Sequence, residues 1–249
     1  MKKIFTGFPI NSRDGIIVIE GNDFHHMANV LRVKTGEKFV AGDPEGNEFI
    51  AVIKVIDRKN IILDIIEKYD RKPPGTPEMD LYFAVLKSDK NESVIRYCTE
   101  IGVDRFHPVI CDNCIVKPDR ASAVKKQNKW ETIAREASMQ CGRKKIPEIF
   151  PIVGFDNINK YDIDSLSLKM FGNIDADSQS LSSVLETNRV LKKTDIFIGP
   201  EGDFSDRETG ILRGNGWTGI NLGQNILRSE TASVFIASSI VFYFQEGNK

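Results

Sequence analysis

The sequence predicts an α/β protein in two parts, a small β-barrel followed by a mainly parallel sheet covered by helices. The first seventy residues hold short β-branched runs and one short helical segment. A stretch with three prolines and a glycine, DRKPPGTPEM, then stops both helix and strand. Beyond it strand-like and helix-like segments alternate, which is the grammar of a parallel sheet with both faces covered.

In the first part, GIIVIE, EKFVAG, EFIAVIKVI and NIILDIIEK read as strands, separated by the turn signals GDPEGN and DRKN. DFHHMANVLR reads as a helix, with Asp23 as its cap and Met27, Val30 and Leu31 at helical spacing. Several strands and one small helix in this length suggest a barrel. The boundaries are then 1–70 for the first domain, 71–78 for a linker and 79–249 for the second domain.

In the second part, MDLYFAVL is a strand and Asp89 to Ile101 a helix. RFHPVI is a strand, and Pro118 to Cys141 a long helix with Pro118 or Asp119 in its first turn. IPEIFPIV, LKMFGNI, DIFIG and WTGINL are further strands, with a helix from Ser205 between the last two. Ser229 to Phe244 closes the chain as a helix apolar on nearly all sides, which predicts burial.

Composition narrows the function. The 249 residues are 41% hydrophobic and 28% charged, an ordinary globular balance. No run of about 18 apolar residues is present, which argues against a membrane span. MKKIFTGFPINSRDG lacks the apolar core of a signal peptide, so a cytoplasmic location is expected. A net charge of -1 argues against indiscriminate nucleic-acid binding. It leaves room for a local basic face: residues 117–145 hold nine Lys/Arg against three acids, a net +6. By itself that segment reads equally as a solvated helix face. Cys111 and Cys114 form a CxxC without a second close pair, so no metal site is expected and the thiols are taken as reduced.

Two junctions carry chemistry. Ile198-Gly199-Pro200-Glu201-Gly202 follows the strand DIFIG and precedes a helix with Ser205 and Glu208 as a capping box. Open α/β sheets bind ligands at the carboxyl ends of their strands, and glycine lets backbone approach an adenosine-like ligand closely. Alone, this loop reads equally as a tight turn. The second junction is LGQNILRSETA, from Leu222 to Ala232. Its Arg228 stands beside a helix N-terminus, where the dipole favours anions, so folding gains nothing from it. That favours a functional arginine over a surface pair with Glu230. Gly214, Gly216 and Gly219 spell GxGxxG, but they follow a helix and enter a strand, the reverse of a dinucleotide fingerprint.

Taken together, IGPEG and LGQNILRSETA, about 20 residues apart, resemble the paired motifs of the RsmE family of methyltransferases. Lys87 with TEIGVDRFHPVI, then KWETIAREASMQCGRKKIPEI, and HHMANVLRVKTGEKF in the first part, resemble further blocks of that family in the same order. Asp203 stands where the family usually has a second glycine, Asn113-Cys114 where it often has Arg-Ser, and LKMFGNI is not followed by the usual Glu.

The resemblance implies a PUA-like RNA-binding barrel, a trefoil-knotted (SPOUT) α/β domain, a homodimer and a bound S-adenosylmethionine. It implies methylation of N3 of a uridine in 16S ribosomal RNA; the near-neutral charge, which leaves RNA affinity to a focused patch, favours the assembled small subunit over short RNA. The cofactor would be lined by Ile198, Gly199, Pro200, Glu201, Gly202, Leu222, Gly223, Ile226, Leu227, Thr231 and Ala232. Arg228 would stabilise the developing anion or place the substrate, with Glu230 orienting it or accepting a proton. His25, His26, Arg32, Lys87, Gln140, Arg143 and Lys144 are the candidates for RNA contact. Two other readings stay open: a knotted methyltransferase acting on a ribose 2′-hydroxyl or on transfer RNA, and an RNA-binding protein without catalysis.

Overall fold

Period-two alternation in the first part produces strands with one buried face. The computed structural model describes residues 1–70, 75–160, 167–175 and 177–246. Five strands form the first sheet: β1 (Lys2–Phe5), β2 (Ile16–Glu20), β3 (Lys38–Gly42), β4 (Glu48–Ile56) and β5 (Asn60–Lys68), in the order β1-β3-β4-β5-β2. Ile17 and Ile19 of β2, Phe39 and Ala41 of β3, Ala51 and Ile53 of β4, and Ile61 and Leu63 of β5 point into one core with Met27. β1 is not apparent from the sequence because its inward side chain at position 3 is a lysine. Lys3 is buried against Glu48, also buried, and donates to the Arg143 carbonyl.

The helix of this unit, α1 (Gly21–His25), starts two residues before Asp23. Glu20 occupies the N-cap without a side-chain cap bond, so Asp23 is not the cap; it sits in the first turn, where its charge suits the dipole. A π-helical turn, His26–Val30, follows, and Arg32 at φ 48° ends it.

The second sheet is parallel throughout, with eight strands among the described residues. They are β6 (Glu78–Ala84), β7 (Arg105–Ile110), β8 (Glu148–Ile149), β9 (Val153–Gly154), β10 (Leu168–Gly172), β11 (Gln179–Ser180), β12 (Lys193–Ile198) and β13 (Thr218–Asn221). The order is β11-β13-β10-β12-β6-β7-β8, with β9 also on β7. β6 and β12 are buried along nearly their whole length, as central parallel strands must be. Helices α2 (Lys90–Ile101), α3 (Arg120–Cys141), α4 (Leu181–Thr187), α5 (Asp206–Gly214) and α6 (Ser229–Glu246) complete the unit. α3 begins after Asp119, whose Oδ1 accepts the Ser122 N–H at 2.8 Å. α5 carries the expected capping box, with Ser205 and Glu208 bonding each other's backbone. Burial of α6 is one-sided: Ile236, Ala237 and Ile240 are buried, while Phe235 and Phe242 are 44% and 71% exposed.

The chain divides into two compact units, Met1–Pro73 with Ser138–Ile146, and Pro74–Ala137 with Pro147–Lys249. The end of the long basic helix therefore groups with the first unit, which a boundary drawn along the chain does not give. Residues 71–74 of the expected linker lie outside the described residues.

Candidate functional site

Strands β13, β10 and β12 are neighbours in the parallel sheet, so their carboxyl ends finish side by side. A crevice at such ends is where open α/β sheets hold ligands. Here it is a cleft of about 470 Å³. Gly172, Asn173 and Ile174 line it after β10; Gly199, Pro200, Glu201 and Asp203 after β12; and Leu222 to Ser229 after β13, with Ala232 from α6. The loops are held by local bonds. Asn221 Oδ1 accepts the Gly223 N–H at 2.8 Å, which turns the chain sharply. Gly223 takes φ 125°, a conformation that L side chains rarely adopt, and a Cβ there would face open space. At Gly199 the reason for glycine is packing, since a Cβ would lie 3.0 Å from the buried Phe204 ring.

The charges of the cleft are ordered by Lys90. Asn91 accepts the Leu86 N–H at 2.8 Å and donates to the Ala84 carbonyl at 3.0 Å, fixing the start of α2 to the end of β6. Lys90 Nζ then lies 2.8 Å from Glu201 and 3.8 Å from Glu230. Burial alone would raise the Glu201 carboxyl, but the Lys90 hydrogen bond, a backbone N–H and the charges of Lys90 and Lys87 hold it below its ordinary value. Asp203 moves the other way: burial raises it, the Phe204 N–H opposes, and the charge of Asp175 adds to the rise.

Of the residues expected to hold a cofactor, Ile198, Gly199, Pro200, Glu201, Leu222, Gly223, Ile226, Leu227 and Ala232 line this cleft. Gly202 and Thr231 are not among its lining residues. Thr231 is exposed, one helical turn from Phe235. Arg228 lines the cleft and makes no ion pair among the described residues, whereas Glu230 faces Lys90. Lys87 is exposed at the end of β6. His25, His26, Arg32, Gln140, Arg143 and Lys144 belong to the first unit. Sequence reasoning missed the Gly172–Ile174 loop, Asp203, Ile220, Asn221, Gln224, Asn225 and Ser229 as lining residues, and Lys90 as the clamp. The glycine closing LKMFG, at the end of an apolar strand, was a usable signal for the first; a lysine opening a helix is too common to have marked the last. Among the described residues no group of His, Cys, Asp and Glu could hold a metal. Cys111 and Cys114 are buried free thiols, the Cys111 N–H bonding Cys114 Sγ at 3.2 Å.

A family profile described as an RNA methyltransferase domain matches residues 74–241, and one described as an RNA methyltransferase PUA domain matches residues 19–66. The chain is 27% identical over 231 residues to "Ribosomal RNA small subunit methyltransferase E" of Bacillus subtilis, covering 90% of this chain and 89% of that protein. It is 29% identical to the protein of the same name from Aquifex aeolicus, covering 92% and 95%. Among solved structures, a Legionella pneumophila methyltransferase in complex with the cofactor SAM is 28% identical, with a TM-score of 0.82 and 96% of each chain covered. A small subunit methyltransferase E of Neisseria gonorrhoeae shares the fold with a TM-score of 0.85 at 23% identity, again covering 96% of each chain.

Proposed function

The chain belongs to the RNA methyltransferase family, and on that premise we propose that it transfers a methyl group from S-adenosylmethionine to N3 of a specific uridine in 16S ribosomal RNA. The observation that carries this reading is the cleft at the ends of β10, β12 and β13, which joins both loops of the motif pair in one site. Its volume is within the roughly 300–1,000 Å³ of small-molecule sites. Its lining suits the group: Ile198, Ile220, Leu222 and Leu227 for an adenine face, and the amides of Asn173, Gln224 and Asn225 for its edge. The open space beside Gly223 leaves room for close backbone approach.

When bound, S-adenosylmethionine supplies a methyl group on a sulfonium. The uridine N3 carries a proton, so its nucleophilic form is an anion. Arg228, in the cleft wall and without an ion-pair partner among the described residues, stabilises that charge. Glu230, whose Oε2 is buried without a hydrogen-bond partner and 3.8 Å from Lys90, is our choice to orient Arg228 or to take the proton. Lys90 keeps Glu201 and Glu230 in fixed relation. Relatives named small subunit methyltransferases support ribosomal RNA as the substrate. His25, Arg32, Gln140, Arg143 and Lys144 of the first unit, and Lys87 of the second, are our choice for its contacts. The exposed Phe235 and Phe242 of α6 support a homodimer formed on that helix. No described helix is long and apolar enough to cross a membrane, and we assign the reaction to the cytoplasm, where small subunits are assembled.

Nucleoside mass spectrometry of ribosomal RNA from a deletion strain tests the reading. Loss of 3-methyluridine from small-subunit RNA is expected. Loss of a ribose-methylated nucleoside, or of a transfer-RNA mark, with 3-methyluridine intact would refute it.

A further inference from the structure

The carboxylates at or beside the cleft, Glu201, Glu230, Asp175 and Asp203, differ in how their charge is met, and Glu230 faces Lys90 at 3.8 Å. Glu201 is neutralised by Lys90 at 2.8 Å, and Asp175 is paired with Arg213 at 3.4 Å. Asp203 has no ion pair among the described residues, although it is half-buried and lines the cleft. One carboxylate oxygen accepts the Phe204 N–H at 2.8 Å. Its backbone is at φ 60°, a left-handed conformation that glycine takes without strain and aspartate tolerates. That conformation is held from two sides: the Asp203 N–H donates to the Pro200 carbonyl at 3.0 Å, and Asn113 Nδ2 donates to the carbonyls of Gly202 and Asp203, both at 3.0 Å. Asn113 also packs closely on Gly202, where a Cβ would lie 3.2 Å from it.

A carboxylate taken partly out of water without a cation is unfavourable, and burial with the charge of Asp175 raises the Asp203 carboxyl accordingly. Such a group is best compensated by a ligand that brings its own positive charge. Resting on the reading that this cleft takes S-adenosylmethionine, we propose that Asp203 is the counter-anion for a cationic group of that cofactor, and so a determinant of which adenosine derivatives the cleft retains. S-adenosylmethionine carries a sulfonium and an ammonium. S-adenosylhomocysteine keeps only the ammonium, and 5′-methylthioadenosine has neither.

Isothermal calorimetry of the full chain with these three ligands tests the proposal, on the wild type, Asp203→Asn and Asp203→Gly. Both variants suit the left-handed backbone, and unchanged thermal unfolding verifies their fold. Each variant should bind S-adenosylmethionine roughly three- to tenfold more weakly, the effect of one partly screened charge pair, and 5′-methylthioadenosine as the wild type does. An equal loss for S-adenosylhomocysteine assigns Asp203 to the ammonium, and no loss assigns it to the sulfonium; either supports the proposal. Wild-type-like binding of S-adenosylmethionine by the variants, or an equal loss for 5′-methylthioadenosine, overturns it and leaves the cofactor reading standing. Failure of the wild type to bind S-adenosylmethionine overturns both.

Discussion

Arg228 lines the cleft and Lys90 pairs with Glu201 and Glu230 beside it, and the proposed function gives the two cations different work. Arg228, in the cleft wall, lacks an ion-pair partner among the described residues, and on the proposed reading its charge serves the substrate. Arg228→Ala should lower kcat by about 10²–10³, the usual loss when a group stabilising transition-state charge is removed. Its cofactor affinity should stay within about twofold. Single-turnover methylation with calorimetric titration of the cofactor separates the two effects, and a loss confined to cofactor affinity would contradict the assignment. Lys90 instead holds Glu201 below its ordinary carboxylate range. A carboxylate depressed in the folded state contributes stability above its unfolded pKa and loses it as pH falls through the folded value. Lys90→Met should remove that contribution, a few tenths of a kcal/mol for a partly exposed pair. The stability gap between wild type and variant should therefore be open at pH 7 and close under acid conditions, as read from urea midpoints. The sequence showed Arg228 because an arginine at a helix N-terminus has no folding motive. It hid Lys90, whose partners at positions 201 and 230 are brought near only by the fold.

At the level of elements, legibility followed burial pattern. β2, β4, β5 and β7 match the residues read from alternation or apolar runs. β1 did not show because its buried lysine breaks the pattern, and β11 did not because two residues carry no period. The trefoil threading is an expectation from the family resemblance alone, since no local pattern encodes the order in which a chain passes through its own loop. The capping box of α5 was legible from two residue types at fixed spacing. Ser205 Oγ also donates to Asp112 Oδ2 at 2.6 Å, so the cap joins α5 to the segment after β7. Ser205→Ala should destabilise the protein by about 1 kcal/mol, seen as a lower urea midpoint with unchanged slope. The loop at Gly223 calls for another reading. With φ 125°, Gly223→Val strains the backbone as well as filling open space. Cofactor binding should be lost while the far-UV spectrum is retained, and undiminished affinity would exclude this loop from the site.

For the molecule as a whole, net charge decides what kind of RNA binding is available. At -1 the chain has no general field to attract a polyanion, so affinity has to come from a focused group of cations. Lys129 pairs with Glu92, which removes it from that group, while Lys117 bonds a carbonyl and keeps its charge. Arg143 and Lys144 lie in the segment that joins the first unit, the unit of His25 and Arg32. Such a focused group recognises shape and several phosphates together, and a short single strand satisfies few of those contacts. Assembled small subunits should therefore be methylated far faster than a short oligomer carrying the same uridine, at matched salt. Arg143→Ala with Lys144→Ala should weaken subunit binding and reduce the slope of log K against log salt by about one for each phosphate no longer neutralised. Cofactor affinity should not change, because neither residue lines the cleft. Oligomeric state enters through α6, where Phe235 and Phe242 lie two turns apart on an exposed face. Phe235→Glu with Phe242→Glu should convert a dimer to a monomer by light scattering at micromolar concentration. A wild type already monomeric there would refute the dimer. Equal methylation of oligomer and subunit would refute focused recognition, and would leave the chemistry of the cleft untouched.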